Sequence, residues 1–459
     1  MRVIAPLSAL TCVAFALLGC TDEKRISVRE LISARDSGSV HILEFAVPLH
    51  DLTNTAEIQV LEEDLVLGER AEFGAVADIA ALGDGRFAVL DRVDKSITVF
   101  DSSGQVTRKF GREGKGPGEF NYPWAITAVG DRIVVWQWAP NQTFITFDTG
   151  GNVLATAGER IDGDWRRYAF RTPSINIEGD QRGIEDITRR LVSLSDSEFA
   201  HMVQPDEIKR ILEGKWQEEM PPPSMVVRYE ESLDIRDTVA VLDGARLLLR
   251  KEIPRGMGPI VEQSFFAGLP FIAAGNGWLA TGHGDSTRLR VVGEDGTPLL
   301  IIQFSQAQSV SLQNKVDAAE WYTAIESINS PASYKRYREI GVREFRKQLR
   351  KWLPSLPFAK AMPIVGAAYG VNDCLFLAGS SSDDSPDGTS LTWAVINVRT
   401  GSLLSAIRIP PRGSRKLPHQ RYPVSMRTFD DHFAYVVTRN EDGMSLLHRF
   451  RLPDVKCQS

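Results

Sequence analysis

Short apolar runs separated by tight-turn residues dominate the chain from about residue 78 onward. The first four runs occupy residues 79–82, 87–90, 97–100 and 106–110, and a Gly-Asp-Gly turn and an Asp-Ser-Ser-Gly turn close the first and third of them. Short runs rich in β-branched and aromatic residues, bounded by residues that tolerate tight turns, predict β-strands. The pattern therefore predicts one four-stranded antiparallel sheet.

The same pattern is then repeated along the chain. Its second copy occupies 125–154, and the turn residues Gly104 and Gly151 lie 47 residues apart (151 − 104). A period of roughly 40–50 residues is typical of a propeller blade, and such sheets bury both faces only when several are stacked around a channel. Fainter copies cover 271–304, 364–409 and 424–452, and the weakest combines 168–177 with 225–242. We therefore predict an all-β, six-bladed β-propeller of four-stranded antiparallel blades.

The last copy stops one strand short of a complete blade. An early strand near 58–61 could supply the missing edge. Such a strand would join the first and last blades and remove an exposed sheet edge.

Two stretches depart from the strand pattern. Residues 183–220 and 311–352 have helix-like spacing and are followed by prolines, which end helices. We predict two helical insertions. The second is basic across 332–352, where it could lie on an anionic lipid or protein surface. A solvated helix that packs its aromatic residues on the body is the interpretation we favour.

The first 20 residues have the layout of an export signal. One arginine precedes a short apolar run, which is too short for a spanning helix. The run ends in Leu17-Leu18-Gly19-Cys20, which resembles the lipobox of bacterial lipoproteins. The resemblance implies a signal peptide over 1–19 and lipidation of Cys20 by palmitate-type chains. The polar, charged residues that follow predict a tether over 20–40. The repeated strand pattern then assigns 41–459 to the propeller. The alternative is an ordinary cleaved signal in which Cys20 is incidental.

The expected location is the cell envelope, with the membrane itself as one partner through the lipid on Cys20. Thr21 follows the cysteine. By analogy with enterobacterial sorting, where aspartate at this position retains lipoproteins in the inner membrane, threonine favours the outer membrane. The periplasmic and surface faces stay open as alternatives.

Composition narrows the function classes. With 459 residues, 43% of them hydrophobic, the chain can bury a large core without a metal, disulfide or cofactor. A net charge of −6 gives no indication of nucleic-acid binding. We expect a monomer. Cys374 and Cys457 could pair in an oxidising compartment, but no spacing argument brings them together, so we favour two unpaired, buried cysteines.

The most glycine-dense stretch, residues 110–120, lacks the residue order of a phosphate-binding P-loop. Together with 99–104 and the polar loop 91–97, it resembles NHL repeats. That resemblance implies a six-bladed propeller in which this stretch connects two blades. The whole chain, including 35–40, also resembles uncharacterised six-bladed propeller lipoproteins of environmental bacteria.

Few residues suggest chemistry. Propeller lactonases resembling regucalcin hold a divalent metal with Glu, Asn and Asp side chains from inner strands, and no comparable set stands at matching positions here. His283 and Asp285 are weak candidates for metal ligands, since two ligands from one loop make no site. Trp136 and Trp138 could anchor a ligand on one face, although filling space is the favoured role.

Two functions remain in view. The favoured hypothesis is a membrane-tethered, non-catalytic binding or scaffolding propeller that recognises a protein, peptide or glycan on one face. The alternative is a periplasmic metal-dependent hydrolase, lactonase or lyase of the propeller type. An enzyme is the less favoured of the two.

Overall fold

The computed structural model describes residues 31–49, 52, 58–68, 73–137, 143–158, 191–203, 224–243, 247–250, 260–263, 268–305, 309–312, 315, 360–361, 363–379, 391–410, 425–439, 444–454 and 457. The elements within these residues are all β-strands, numbered β1 to β29 along the chain. Six sheets contain four or more strands each, and the two remaining strands form a separate two-stranded sheet. The chain is a six-bladed all-β propeller of four-stranded antiparallel blades, as predicted.

Each blade contains an inner strand and three successive strands towards its outer edge. Blade 1 contains β5 (Val76–Gly83), β6 (Arg86–Asp91), β7 (Ser96–Phe100) and β8 (Val106–Phe110). Blade 2 contains β9 (Pro123–Val129), β10 (Arg132–Gln137), β11 (Thr143–Asp148) and β12 (Val153–Gly158). Blade 3 contains β13 (Leu191–Ser193), β14 (Glu198–Val203), β15 (Ser224–Glu230) and β16 (Ile235–Leu242). Strands β17 (Leu247–Arg250) and β18 (Ile260–Gln263) then form the two-stranded sheet.

The second half of the ring repeats this order. Blade 4 contains β19 (Pro270–Gly275), β20 (Trp278–His283), β21 (Arg288–Gly293) and β22 (Pro298–Gln303). Blade 5 contains β23 (Ala367–Val371), β24 (Cys374–Ala378), β25 (Leu391–Asn397) and β26 (Ser402–Ile409). Blade 6 contains β27 (Ser425–Phe429), β28 (Phe433–Arg439) and β29 (Ser445–Arg451), and takes its fourth strand from the N-terminal part of the chain.

The N-terminal strands follow the outside of the second half of the ring. Strands β1 (Ile32–Ser37) and β2 (Val40–Phe45) extend blade 4, where β2 pairs with β22 in parallel. Strand β3 (Ile58–Val60) pairs with β26 of blade 5 in parallel, and β4 (Glu62–Leu67) pairs with β29 as the fourth strand of blade 6. The ring is therefore closed by β4. The predicted closing strand at 58–61 is wrong by a few residues, because that segment pairs with blade 5 instead.

The closing strand is held by charged side chains as well as by its backbone. Asp64 accepts a hydrogen bond of 2.8 Å from Arg449 Nε and one of 2.9 Å from Arg451 Nη2. Beside this group, Glu63 Oε1 lies 2.7 Å from Nδ1 of the buried His448. The Arg449 guanidinium also lies 4.1 Å from the ring centroid of Phe433. The acidic side chains of β4 are thus paired with basic side chains of β29, the strand next to it in blade 6.

The six inner strands form a closed ring around the axis. Each of them contacts the inner strands of both neighbouring blades, in the order β5, β9, β13, β19, β23, β27 and back to β5. Small residues permit this convergence: a side chain on Gly370 would meet the Ala274 carbonyl of the neighbouring blade. Between blades, larger residues fill the core, as where Phe87 stacks on Phe100 at 5.0 Å and contacts Tyr435 at 5.1 Å.

The turn between the third and fourth strands is the most regular feature of the repeat. Asp101, Asp148 and Asp295 each accept backbone hydrogen bonds from the residues that follow. The glycine of each turn has a positive φ, as at Gly151 (+87°), where other residues are strained. In blade 2 this glycine packs against the Phe110 ring of blade 1, so the turn also fixes the contact between blades.

Two predicted boundaries differ from the structure. Strand β1 and the start of β2 lie within the predicted tether 20–40. Because β1 is an edge strand with mostly exposed, polar residues, its sequence resembles that of a flexible linker. Strands β13 and β14 lie within the predicted helical insertion 183–220. They are buried on both faces, so they lack the alternation that indicates a strand. The predicted strand 168–177 lies outside the described residues, as does nearly all of the predicted insertion 311–352.

Candidate functional site

The two faces of the ring differ in their connections. We call the face where the inner strands begin the upper face, and the opposite one the lower face. Every connection between described strands on the lower face is short, the longest being 101–105. On the upper face the chain passes between strands through much longer segments, including 159–190, 204–223 and 304–366. Connecting loops on a rigid scaffold are where binding residues concentrate.

A cluster of basic and aromatic side chains lies on the upper face where blades 1 and 2 meet. We call it the upper patch: Arg92, Val93, Lys95, Tyr122 and Trp124. The Arg92 guanidinium lies 5.4 Å from the Trp124 ring centroid, and Lys95 Nζ lies 5.0 Å from that of Tyr122. Val93 is 63% exposed and Tyr122 is 53% exposed. The upper patch therefore presents cations and apolar surface together.

The loop that carries the upper patch is anchored by the buried carboxylate of Asp91. Its two oxygens accept hydrogen bonds from the backbone N–H groups of Gly74, Ala75, Val93 and Asp94, at 2.7 to 3.2 Å. The same position at the end of β10 is occupied by Gln137, whose Oε1 accepts from Asn121 N at 2.8 Å. A buried acceptor at the end of the second strand thus holds an upper-face loop in both blades.

Opposing effects of burial and of neighbouring charges act on Lys95. Its burial and the nearby charge of Arg92 both lower the pKa of the ammonium group, while Glu113 and Asp91 oppose them. Around it, Asp94 is paired with Lys109 at 3.0 Å, and Glu119 with Arg112 at 2.8 Å. The charges that border the upper patch are therefore largely neutralised in pairs.

The central channel is narrow and lined mainly by small residues. All six inner strands border a cavity of about 140 Å³. Asp78 contributes a carboxylate, whose Oδ2 accepts a hydrogen bond of 3.1 Å from Ile126 N of blade 2. Tyr369 and Phe429 contribute aromatic rings on another side, with centroids 5.5 Å apart. The Asp78 carboxylate thus links the inner strands of blades 1 and 2.

The glycine-dense stretch 110–120 connects the outer strand of blade 1 to the inner strand of blade 2. The N–H of Phe120 donates to Arg112 O at 2.8 Å, and the N–H of Gly114 donates to Phe120 O at 3.1 Å. Glu119 accepts from Gly116 N at 2.8 Å, and this bond, followed by one from Arg112, lowers the pKa of the carboxyl group. Phe120 is fully buried. The stretch therefore connects two blades, and hydrogen bonds within it hold its conformation.

The weak metal-ligand candidates His283 and Asp285 lie at the end of β20 and in the loop that follows it in blade 4. Nδ1 of His283 accepts from Asp285 N at 3.3 Å, and Asp285 Oδ1 accepts from Gly268 N at 2.8 Å. Within the described residues, no three His, Cys, Asp or Glu side chains are grouped as ligands for a metal. The two side chains organise the loop that leads into blade 4.

Trp136, the first of the two candidate ligand-face aromatics, is buried between blades 2 and 3. It is 3% exposed, and its ring centroid lies 4.8 Å from that of His201. It fills space in the core, the role that the sequence favours. Trp138 lies outside the described residues.

The remaining predicted sites concern cysteines and charge. Cys374 and Cys457 form a disulfide that joins the start of β24 to the C-terminal segment. The expectation of two unpaired cysteines is therefore wrong: the segment after β29 returns to blade 5, a path that sequence spacing does not reveal.

Cys20 and the basic residues 332–352 lie outside the described residues. The part of the chain that the structure describes contains no helix long and apolar enough to cross a membrane.

Sequence reasoning missed the upper patch. The sequence identifies the loop 91–97 only through its resemblance to a connection in NHL repeats, and it gives no role to the aromatic residues at 122 and 124. The available signal was their spacing: two aromatic residues two positions apart at the start of an inner strand place both rings on one side of it.

Comparisons with known proteins agree with the fold. The model of a family described as DUF5128, 6-bladed beta-propeller, matches residues 64–157, which comprise most of β4 and blades 1 and 2. No curated protein matches.

Three solved structures from Bacteroides are similar at low identity. A Bacteroides fragilis protein described as exported is 12% identical, with 93% of this chain and 97% of that chain covered and a TM-score of 0.41. A DUF4221 member from Bacteroides vulgatus is 9% identical, with 86% and 98% covered and a TM-score of 0.41. A protein of unknown function from Bacteroides caccae is 10% identical, with 74% and 88% covered and a TM-score of 0.35.

Proposed function

We propose that this protein is an exported, membrane-tethered and non-catalytic propeller that recognises a protein, peptide or glycan on its upper face. The observation that carries the proposal is the difference between the two faces. The lower face consists of short turns whose side chains bond to their own backbone, whereas the long connections all leave the blades on the upper face. Long connections that leave a rigid ring on one side are typical of a recognition surface.

The described part of the upper face has the composition of a binding surface. Tyr, Trp and Arg are the residues enriched in the energetically dominant parts of protein interfaces, and Tyr122, Trp124 and Arg92 lie together here. The residues that resemble NHL repeats belong to the two blades that support them. This combination favours recognition of a polypeptide by the upper patch.

The proposed tether gives the surface its context. Cys20 stands twelve residues before Ile32, where β1 begins at the outer edge of blade 4. A fully extended chain of that length spans at most about 40 Å. Lipid on Cys20 would therefore hold the ring close to the bilayer, where confinement raises the effective concentration of a partner in the same membrane.

Photo-crosslinking at two matched positions tests the choice of face. A photoreactive residue replaces either Val93, which is 63% exposed on the upper face, or Val106, which is 59% exposed just after a lower-face turn of the same blade. Irradiation of cells that produce the full chain is expected to give a discrete adduct from position 93 that is at least fivefold more abundant than any adduct from position 106. Equal adducts from both positions, or an adduct from position 106 alone, would contradict the proposal.

Cell fractionation tests the tether separately. Cys20→Ala protein is expected to leave the membrane fraction, because no acyl chains remain to hold it, while Cys374→Ala protein still pellets with membranes. Membrane association that persists in the Cys20→Ala protein would refute lipid anchoring.

A further inference from the structure

The upper patch concentrates positive charge in a chain whose net charge is −6. Arg92 and Lys95 project from the same four-residue connection between β6 and β7 and lie over adjacent aromatic rings. They are close enough that the charge of Arg92 lowers the pKa of Lys95. Two cations that repel each other in the free protein favour an anion that can contact both.

The backbone at Lys95 supports a functional role for its position. Its φ is +53°, a left-handed conformation that Asp84, Leu233 and Asn372 also adopt. Asp and Asn tolerate this region, whereas a lysine there is strained. The bonds from Asp91 hold the loop in place, and the strained residue carries its ammonium group over the Tyr122 ring. Strained residues of this kind cluster at ligand-binding positions.

The surroundings of Arg92 and Lys95 indicate which chemical groups a partner would carry. Asp94 and Glu119 are paired with Lys109 and Arg112, whereas Glu113 and Asp91 are the acidic residues whose charges raise the pKa of Lys95. The exposed side chains of Val93 and Tyr122 provide apolar surface beside the cations. A ligand that is purely anionic would leave this apolar surface unused.

We propose that the upper patch binds an extended acidic peptide segment, with a carboxylate contacting Arg92 and Lys95 and an adjacent apolar side chain on Val93 and Tyr122. This inference rests on the proposed function, because it names the partner of the same face. We favour a polypeptide over a nucleic acid. This protein has a net charge of −6, so its surface outside the small positive region repels a polyphosphate.

Fluorescence anisotropy with a defined peptide tests the proposal. The probe is a labelled octapeptide of alternating glutamate and phenylalanine, and the comparison peptide has glutamine in place of each glutamate. We expect the acidic peptide to bind at least tenfold more tightly than its glutamine counterpart, and this preference to weaken at high salt because screening reduces charge attraction. Equal affinity for the two peptides would overturn the inference.

Variants of the protein locate the binding. Arg92→Gln and Lys95→Gln are each expected to weaken binding of the acidic peptide at least fivefold. Arg86→Gln, at an exposed arginine on the lower face of the same blade, is expected to leave it unchanged. Circular dichroism verifies that each variant is folded. Equal affinity of all three variants, or tighter binding of a single-stranded oligonucleotide than of the acidic peptide, would refute the proposal.

Failure of this inference can be told apart from failure of the proposed function. A crosslinked adduct from position 93 in cells, combined with no preference for the acidic peptide, would retain upper-face recognition and reject the acidic partner. No adduct from position 93 and no peptide binding would reject both.

Discussion

Asp64 is the residue through which loss of ring closure can be measured most directly. Asp64→Asn removes the negative charge that faces Arg449 and Arg451 across the pair formed by β4 and β29. The Arg449 side chain is only 5% exposed, so its guanidinium would be left without its main counter-charge inside the blade. Removing one partner of a fully buried ion pair costs about 3–5 kcal/mol.

Two features reduce this value here. The Asp64 side chain keeps 18% exposure, and Arg449 retains its contact with the Phe433 ring at 4.1 Å, which contributes about 0.5–2 kcal/mol. We therefore expect Asp64→Asn to lower the free energy of unfolding by about 2–4 kcal/mol.

Urea denaturation followed by circular dichroism measures this change. The matched control is Glu44→Gln, which removes the carboxylate paired with Arg35 at 3.0 Å on the exposed surface of blade 4. An exposed pair contributes about 0–1 kcal/mol, so the control is expected to be nearly silent. If Asp64→Asn changed the free energy of unfolding no more than Glu44→Gln does, the charged closure of the ring would not contribute as argued.

Three further predictions follow from the blades. Gly151→Ala should destabilise the protein about 2 kcal/mol more than Gly296→Ala in thermal melts, since both have positive φ but only the first added methyl meets the neighbouring blade; equal losses would contradict this. Burial raises the pKa of Asp64, but ion pairing with two arginines outweighs it and holds that pKa below 3.8, so the carboxylate stabilises the fold above pH 3.8 and this stabilisation is lost as the pH falls through the lowered pKa. Acid unfolding of Asp64→Asn should therefore lack this loss of stability, and parallel acid unfolding curves of the two proteins would contradict the prediction. Replacing Cys374 and Cys457 with alanine should lower the free energy of unfolding by about 2–4 kcal/mol in urea titrations without reductant, and an unchanged midpoint would argue against the disulfide.

Turn chemistry made most of the fold predictable from sequence. Asp and Gly residues at fixed positions, such as Asp101 with Gly104 and Asp148 with Gly151, accept local backbone bonds and adopt positive φ wherever they occur. Their role depends on neighbouring residues only, so the sequence carries it completely. Blades 1 and 2, where this pattern is strongest, are also where the 6-bladed beta-propeller family model matches.

Features that depend on distant partners could not be predicted in this way. The closing strand β4 begins Glu62-Glu63-Asp64, which resembles a solvated loop until Arg449, Arg451 and His448 are placed opposite. Blade 3 was located only in part, because β13 and β14 are buried on both faces and residues 204–223 separate β14 from β15.

The candidate site illustrates the same limit. Trp136 is a candidate ligand-face aromatic in the sequence because Trp138 follows it across Gln137, yet blade 3 covers it. The residues of the upper patch come from two blades, and only the adjacency of those blades brings Lys95 over Tyr122. Sequence reasoning can identify such residues one by one but does not show that they form one surface.

The yield of photo-crosslinked adduct from position 93 relative to position 106, measured in cells with either Cys20 or Cys20→Ala protein, tests the central claim most directly. Recognition by the upper face of a tethered ring predicts an adduct from position 93 that is at least fivefold more abundant than that from position 106, and that diminishes when the tether is lost. Equal yields from the two faces in the Cys20 protein would contradict the account.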